Sequence, residues 1–151
     1  MVSRVSSPTK GPAHLEEMTR LECLERLGTT RLGRIGINIA AMPVILPVNF
    51  VLLDGAVVFR TAIGTKLAAA TSKAVVAFEV DSYEPEKETG WSVLVIGIST
   101  HVTDTELIER AEQLLATAWS PTHQADHVVQ IETEQVTGRK FGDTIQTRFT
   151  N

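Results

Sequence analysis

Cysteine is almost missing from this chain. Cys23 is the only one among 151 residues, so no intrachain disulfide can form, and a reducing cytoplasm is the expected setting. Long apolar runs are missing too. The longest, Val44 to Leu53, is interrupted by Pro47 and Asn49 and falls well short of the ~20 residues a membrane-crossing helix needs. A basic excess is also absent. With 14 Lys and Arg against 18 Asp and Glu, the net charge is −4, which excludes a broadly basic nucleic-acid surface but leaves room for a local anion site. No G-x-G-x-x-G motif occurs, and strands and helices do not strictly alternate, which excludes a dinucleotide-binding Rossmann arrangement.

What remains is an ordinary globular composition, 43% hydrophobic and 21% charged, on a chain long enough for one domain with its own core. Residues 1–14 are polar without an apolar signal region and read as a disordered leader. A single domain is expected over 15–141, with a polar tail over 142–151.

Thr19 with Glu22 forms a capping-box signature ahead of Leu21, Leu24 and Leu27, predicting a two-turn helix closed by Gly28 in the left-handed conformation. Cys23 falls inside it with no basic activator nearby in sequence and reads as a buried, inert thiol. Leu32 to Ile39 alternates as a strand, with Ile35, Ile37 and Ile39 on one side, and the loop 40–43 follows.

Pro43 to Lys66 is the most informative stretch. Two apolar runs flank Asp54-Gly55, the pair that favours a two-residue type I′ turn. That turn sets Leu53 against Ala56, Val51 against Val58, Phe50 against Phe59, Asn49 against Arg60 and Val48 against Thr61. Phe50, Phe59, Leu52 and Val57 then form one apolar face. Beyond it, Gly64 and Thr65 announce a short helix with Thr65 as N-cap.

Ala74 to Asp81 reads as a strand, Ser82 to Gly90 as a charged loop around Pro85, and Trp91 to Val102 as the longest strand. Gly97 inside that strand marks a bulge or a close backbone approach. An amphipathic helix is predicted over Asp104 to Ala118 behind Thr103 or Asp104, and one last strand over Val128 to Val136. Strands gathered in hairpins with few crossovers predict an antiparallel barrel with helices outside.

Several side chains could carry chemistry. Arg60, Thr61, Thr65 and Lys66 fall within seven positions and combine a guanidinium fork, a mobile ammonium and hydroxyls, a set suited to phosphate. His123 and His127 are four apart but lack a third metal ligand, so no metal is expected. Glu79 and Asp81 share a strand face without an acid–base partner and read as an exposed barrel face. His101 reads as a polar strand end, and Trp119 as a structural residue.

The segments PVNFVLLDGAVVFRTAIGTKLAAA, AVVAFEVD, TGWSVLVIGISTHVTD and VVQIETEQVTGRKF, taken in order, resemble the pyridoxamine 5′-phosphate oxidase-like proteins of the FMN-binding split-barrel superfamily, over roughly residues 19–141. The resemblance implies a mainly β fold, a six-stranded antiparallel Greek-key split barrel with flanking helices. It also implies a homodimer with the cofactor at the subunit interface. Val48, Asn49 and Phe50 would lie against the isoalloxazine ring. Arg60, Thr61 and Lys66, with Thr65 and Leu67 beside them, would hold the phosphate, and Trp91 and Ser92 would come from the partner subunit. FMN is the preferred cofactor, with the deazaflavin F420 as the alternative, and a non-catalytic FMN-, F420- or haem-binding protein is a further possibility. The implied activity is that of a flavin-dependent oxidoreductase on a small redox substrate, with no catalytic side chain assigned. The Arg/His segment that grips the namesake substrate in the authentic oxidases has no counterpart in GRKFGDTIQTRFTN, so pyridoxamine phosphate oxidation is not expected.

Overall fold

The computed structural model describes residues 15–62, 64–115 and 126–142. The chain forms β1 (Leu15–Glu17), α1 (Arg20–Gly28), β2 (Leu32–Ile39), β3 (Met42–Leu53), β4 (Ala56–Ala62), α2 (Lys66–Ala70), β5 (Ala74–Glu84), β6 (Thr89–His101), α3 (Thr105–Leu115), β7 (Asp126–Ile131) and β8 (Gln135–Phe141). All pairings are antiparallel, and the order β6, β5, β2, β3, β4, β7 closes on itself through β6–β7. The result is a six-stranded barrel flanked by helices, with β8 and then β1 added along one edge of β6.

Closure depends on β6 changing neighbour along one edge. Residues 90–96 pair with β8, and residues 99–101 pair with β7. The changeover falls at Gly97, where Glu132 passes close and its N–H donates to the Ile98 carbonyl at 3.2 Å. A side chain at 97 would occupy the space of the Glu132 carbonyl, so the close approach expected of this glycine is observed. The predicted final strand is in fact two. The chain breaks at Glu132-Thr133-Glu134, and Gly138 to Phe141, beyond the predicted strand, belong to β8.

The Asp54-Gly55 turn forms as expected, both residues with positive φ (51° and 78°). The ladder it sets runs from Leu53↔Ala56 to Phe50↔Phe59 and stops there. Asn49 and Val48 are laddered to Leu32 and Gly33 of β2, and Arg60 and Thr61 to Val128 and His127 of β7. The expected Asn49–Arg60 and Val48–Thr61 pairs are not in this ladder. β2 and β4 flank β3 on opposite edges, and the β4 edge is left unladdered from Asn49 backwards. Ala40 and Ala41, both at positive φ (49° and 63°), make a second tight turn, and β2 and β3 pair over eight residues from it. Phe50 N–H donates to the Arg31 carbonyl, so the even residues of β3 point their N–H groups at β2. Pro43 and Pro47 then present their ring nitrogens to the opposite edge, where no strand is laddered among the described residues.

Phe50, Phe59 and Phe78 are fully buried inside the barrel with Val57, Val93, Val95, Ile35 and Ile131. Phe78 meets Phe50 edge-on at 4.8 Å and packs over Gly33. Each such side chain contributes about 1.5–3 kcal/mol on burial. A second cluster of Val51, Leu53, Val58 and Val128 lies on the opposite face of the β3–β4 hairpin, covered by Ala111 and Leu115 of α3. Asp104 caps α3 by accepting from Leu107 N–H at 3.0 Å, and Arg110 grips both oxygens of Asp54 (2.9 and 3.3 Å) to tie the helix to the turn.

α1 starts as predicted, with Thr19 Oγ1 accepting from Glu22 N–H at 3.2 Å. Gly28 does not adopt the left-handed conformation; it ends the helix in ordinary geometry, and Thr29 is the C-cap. Cys23 is buried, and burial raises its thiol above the ordinary range. The charged loop is shorter than expected, because β5 runs on to Glu84 and β6 starts at Thr89. Residues 1–14, 116–125 and 143–151, with Trp119 and His123, lie outside the described residues.

Candidate functional site

The phosphate-suited residues lie where β4 ends and α2 begins. Thr65 caps α2, its Oγ1 accepting from Ala68 N–H at 3.1 Å, while Lys66 is exposed and Leu67 packs partly against the core. Arg60 and Thr61, as neighbours on a strand, face opposite sides. Arg60 is half-buried on the α3 side and donates to the Leu115 carbonyl at 3.4 Å. Thr61 turns inward and is 4% exposed, and its Oγ1 has no partner among the described residues. A buried hydroxyl without a partner costs about 1–3 kcal/mol. That cost marks the position as one that a bound group could relieve.

The ring-contact residues divide differently. Val48 and Phe50 are core side chains, and Phe50 has no exposed surface, so only its backbone could meet a ligand. Asn49 is exposed, on the part of β3 that β4 leaves unpaired. Trp91 and Ser92 stand apart on β6, laddered to Ser82 and Asp81 of β5 and to Lys140 and Arg139 of β8. The Arg26 guanidinium lies 5.5 Å from the Trp91 ring centre, and the indole is half-buried. Within one chain, the sequence-predicted residues therefore form two groups rather than one cluster.

Two grooves flank these groups. One of about 300 Å³ runs beside Trp91 and Ser92 under Tyr83, Phe141 and Arg139. The other, about 410 Å³, opens where β2 and β5 separate beyond their three-pair ladder, between Arg31, Gly33, Pro47 and Asp81. Arg34 bridges Glu79 (3.1 Å) and Asp81 (3.2 Å) at its margin. Asp81 is exposed as expected, whereas Glu79 is half-buried. Burial raises the Glu79 carboxyl above the ordinary range, Asp81 adds to the rise, and Arg34 opposes it.

One feature escaped the sequence reading. His101 and His127 stack with ring centres 4.4 Å apart and planes at 26°. His101 Nε2 lies 2.9 Å from the Ala68 carbonyl and 3.4 Å from Thr71 Oγ1, while His127 is laddered to Thr61. The two histidines are 26 positions apart in the chain, and only the β6–β7 pairing brings them together. Among the described residues no group of three potential metal ligands occurs, and no helix is long and apolar enough to cross a membrane.

The fold and much of the sequence have known counterparts. An uncharacterized protein of Mycobacterium tuberculosis is 38% identical over 141 residues, covering 90% of this chain and 91% of that protein. The solved structure of an FAD-binding protein from Mycobacterium smegmatis is similar at 36% identity and a TM-score of 0.74, over 83% of this chain and 98% of that one. An FAD-binding protein from Mesorhizobium loti shares the fold at a TM-score of 0.72 and 22% identity, over 85% and 98% of the two chains. The family model described as pyridoxamine 5′-phosphate oxidase matches residues 19–140, from the cap of α1 through Lys140 of β8. With that match spanning the whole barrel, this chain belongs to the pyridoxamine 5′-phosphate oxidase family.

Proposed function

We propose that this protein is a homodimeric flavoprotein that binds FMN, or FAD through its FMN half, and acts as an oxidoreductase on a small redox substrate. The observation that carries this reading is the 36% identity, over 98% of its length, to the M. smegmatis FAD-binding protein. The residues present suit a flavin. Asn49 lies on a strand edge whose backbone is open to ring nitrogens and carbonyls. Thr61 has an unpartnered hydroxyl, Lys66 is exposed at the start of α2, and Arg60 stands next to Thr61 in the chain on the other face of β4.

In this reading Val48, Asn49 and Phe50 hold the ring through their backbone. Arg60, Thr61, Thr65, Lys66 and Leu67 form the phosphate end, and Trp91 and Ser92 of the partner subunit complete the site. The bound flavin would supply the electron-transfer chemistry. The chain's own residues bind it, orient it and shield it from water.

The separation of the two residue groups within one chain supports the dimer. So does an uncovered apolar face. Ile45, Gly36, Ala77 and Ile96 form one row across β3, β2, β5 and β6, with Val75 and Ile98 paired close by and Leu94 on the same side. Ile45 and Val75 are 71% and 69% exposed, more than a large apolar side chain is normally left on a face that stays in water. A second copy of this chain is the occupant that joins the two groups.

The test is a flavin titration of the wild type, Arg60→Ala and Lys66→Ala, read by quenching of flavin fluorescence. Each variant should bind about tenfold more weakly, the loss of one charge-assisted phosphate contact. Unchanged affinity in both variants would remove the phosphate end from this position.

A further inference from the structure

We propose that the groove beside Tyr83, Phe141 and Arg139 is the substrate pocket of this protein, built for a flat aromatic ring that carries one acidic group. Calling the guest a substrate rests on the flavin reading; the binding site itself does not.

The groove arises from the strand pattern. Tyr83, Gly90 and Phe141 form one row across β5, β6 and β8, and Leu15 of β1 extends it. Gly90 lets the two rings meet across β6. It presents no side chain, and a Cβ there would come 2.7 Å from Phe141 Cε1, so the Phe141 ring lies over the glycine. The ring centres of Tyr83 and Phe141 are 5.9 Å apart with planes tilted by 34°, the spacing of a favourable aromatic pair. Tyr83 and Leu15 stay 60% and 56% exposed, so this apolar shelf is uncovered among the described residues.

Asp81, Ser92, Arg139 and Glu17 make the next row on the same face, two residues further along each strand and about 6.7 Å away. The other charges around the groove are engaged. Asp81 is held by Arg34 at 3.2 Å, and Glu84 by Lys87 at 2.9 Å. Lys140 is turned to α1, where it lies 3.7 Å from Glu22. Arg139 is exposed, and among the described residues no hydrogen bond or ion pair engages its guanidinium, not even from Glu17 beside it. A guanidinium fork without a counter-ion matches a carboxylate or a comparable acid. Set one row from an aromatic shelf, it selects a ring bearing that acid. The space of about 300 Å³ is at the small end of ligand pockets and suits a molecule of one or two rings.

Ser92 is the register neighbour of Arg139, with their Cβ atoms about 5 Å apart. In the flavin reading Ser92 meets the ring bound by the other copy, so an acid held by Arg139 lies beside that ring. Each site then takes its ring-holding strand from one copy and its grip on the substrate from the other.

The probes are naphthoate and its uncharged amide, naphthamide, titrated by calorimetry into the full-length protein without flavin. The wild type should bind naphthoate about tenfold more tightly than naphthamide, the worth of one charge-assisted contact. Arg139→Gln should erase that preference by weakening naphthoate alone. Tyr83→Ser should weaken both probes alike, by roughly two- to tenfold. Equal affinity of the two probes for the wild type, no measurable binding of either, or a preference that survives Arg139→Gln would overturn the proposal. Backbone amide shifts of the wild type locate the probe without any variant. The largest should fall at Tyr83, Ser92 and Arg139, and shifts confined to the Ile45 and Val75 face would count against the pocket. FMN is added in a second arm. If FMN does not bind, the flavin reading fails, and the naphthoate results still decide the pocket. If it binds, naphthoate should move the visible absorption band of the flavin in the wild type but not in Arg139→Gln; a spectrum that naphthoate leaves unmoved would refute the placement beside the ring.

Discussion

Gly97→Ala tests how the barrel closes. Gly97 does not have positive φ, so alanine's backbone preference is satisfied, and restricting the unfolded chain alone would stabilise by about 0.4–1 kcal/mol. The cost comes from space. A Cβ at 97 would run into the Glu132 carbonyl oxygen and lie 3.0 Å from its carbon, with Ile131 Cγ2 at 3.5 Å. These are backbone atoms at the exit of β7 and cannot swing aside. Moving them strains the β7–β8 connection and threatens the Glu132 N–H to Ile98 carbonyl bond. Overpacking of about 1–3 kcal/mol plus about 1 kcal/mol for the hydrogen bond outweighs the entropic gain, for a net loss of about 2–3 kcal/mol. At this chain length the melting temperature should drop by roughly 4–12 °C. The control is Gly28→Ala at the end of α1, also without positive φ, where the new Cβ meets Leu52 Cδ2 at an ordinary 4.0 Å. It should be neutral or slightly stabilising. Thermal unfolding at matched protein concentration reads both, and equal melting temperatures for the two variants would refute the changeover at Gly97.

Two further outcomes follow from buried or half-buried ionisable groups. Glu79 is raised above its ordinary 4.5, first by burial and then by Asp81, so the folded state takes up its proton before the unfolded state does. Acidification through the window just above that value therefore favours folding, and the wild type should gain melting temperature on Glu79→Gln as pH falls from about 7 to about 4.5; a widening loss would contradict the assignment. Cys23 lies under β8, where a Cβ on Gly138 would come 2.6 Å from its sulfur, and its thiol is pushed up by burial. Alkylation by iodoacetamide should be about 100-fold slower in the native than in the denatured protein, and fast native labelling would show that α1 does not seal against β8.

The parts of the fold legible in the sequence are those set by local chemistry. Asp54-Gly55 fixes its own turn and the four ladder pairs nearest it, Thr65 and Asp104 cap the helices that follow them, and Gly97 signals a close approach. What was not legible depends on pairing between distant segments. No propensity rule picks Ala40-Ala41 for a positive-φ turn, yet that turn sets the eight-pair β2–β3 ladder, and nothing local to Asp54-Gly55 shows that its own ladder ends at Phe50–Phe59. Pro43 and Pro47 are compatible with β3 because their nitrogens face its unladdered edge. For the site, residue types suited to phosphate could be read from the sequence, whereas which of Arg60 and Thr61 turns inward follows from the barrel. The His101–His127 stack exists only through tertiary pairing and had no local signal.

The central claim is flavin binding at a site completed by two copies of this chain, and the most direct measurement is reconstitution of the full-length protein with FMN and with FAD. Light scattering and the visible absorption spectrum are then recorded on the same sample after gel filtration. The account predicts a yellow dimer carrying about one flavin per chain, with a melting temperature raised in proportion to the logarithm of free flavin. A colourless protein whose melting temperature neither flavin moves would contradict it.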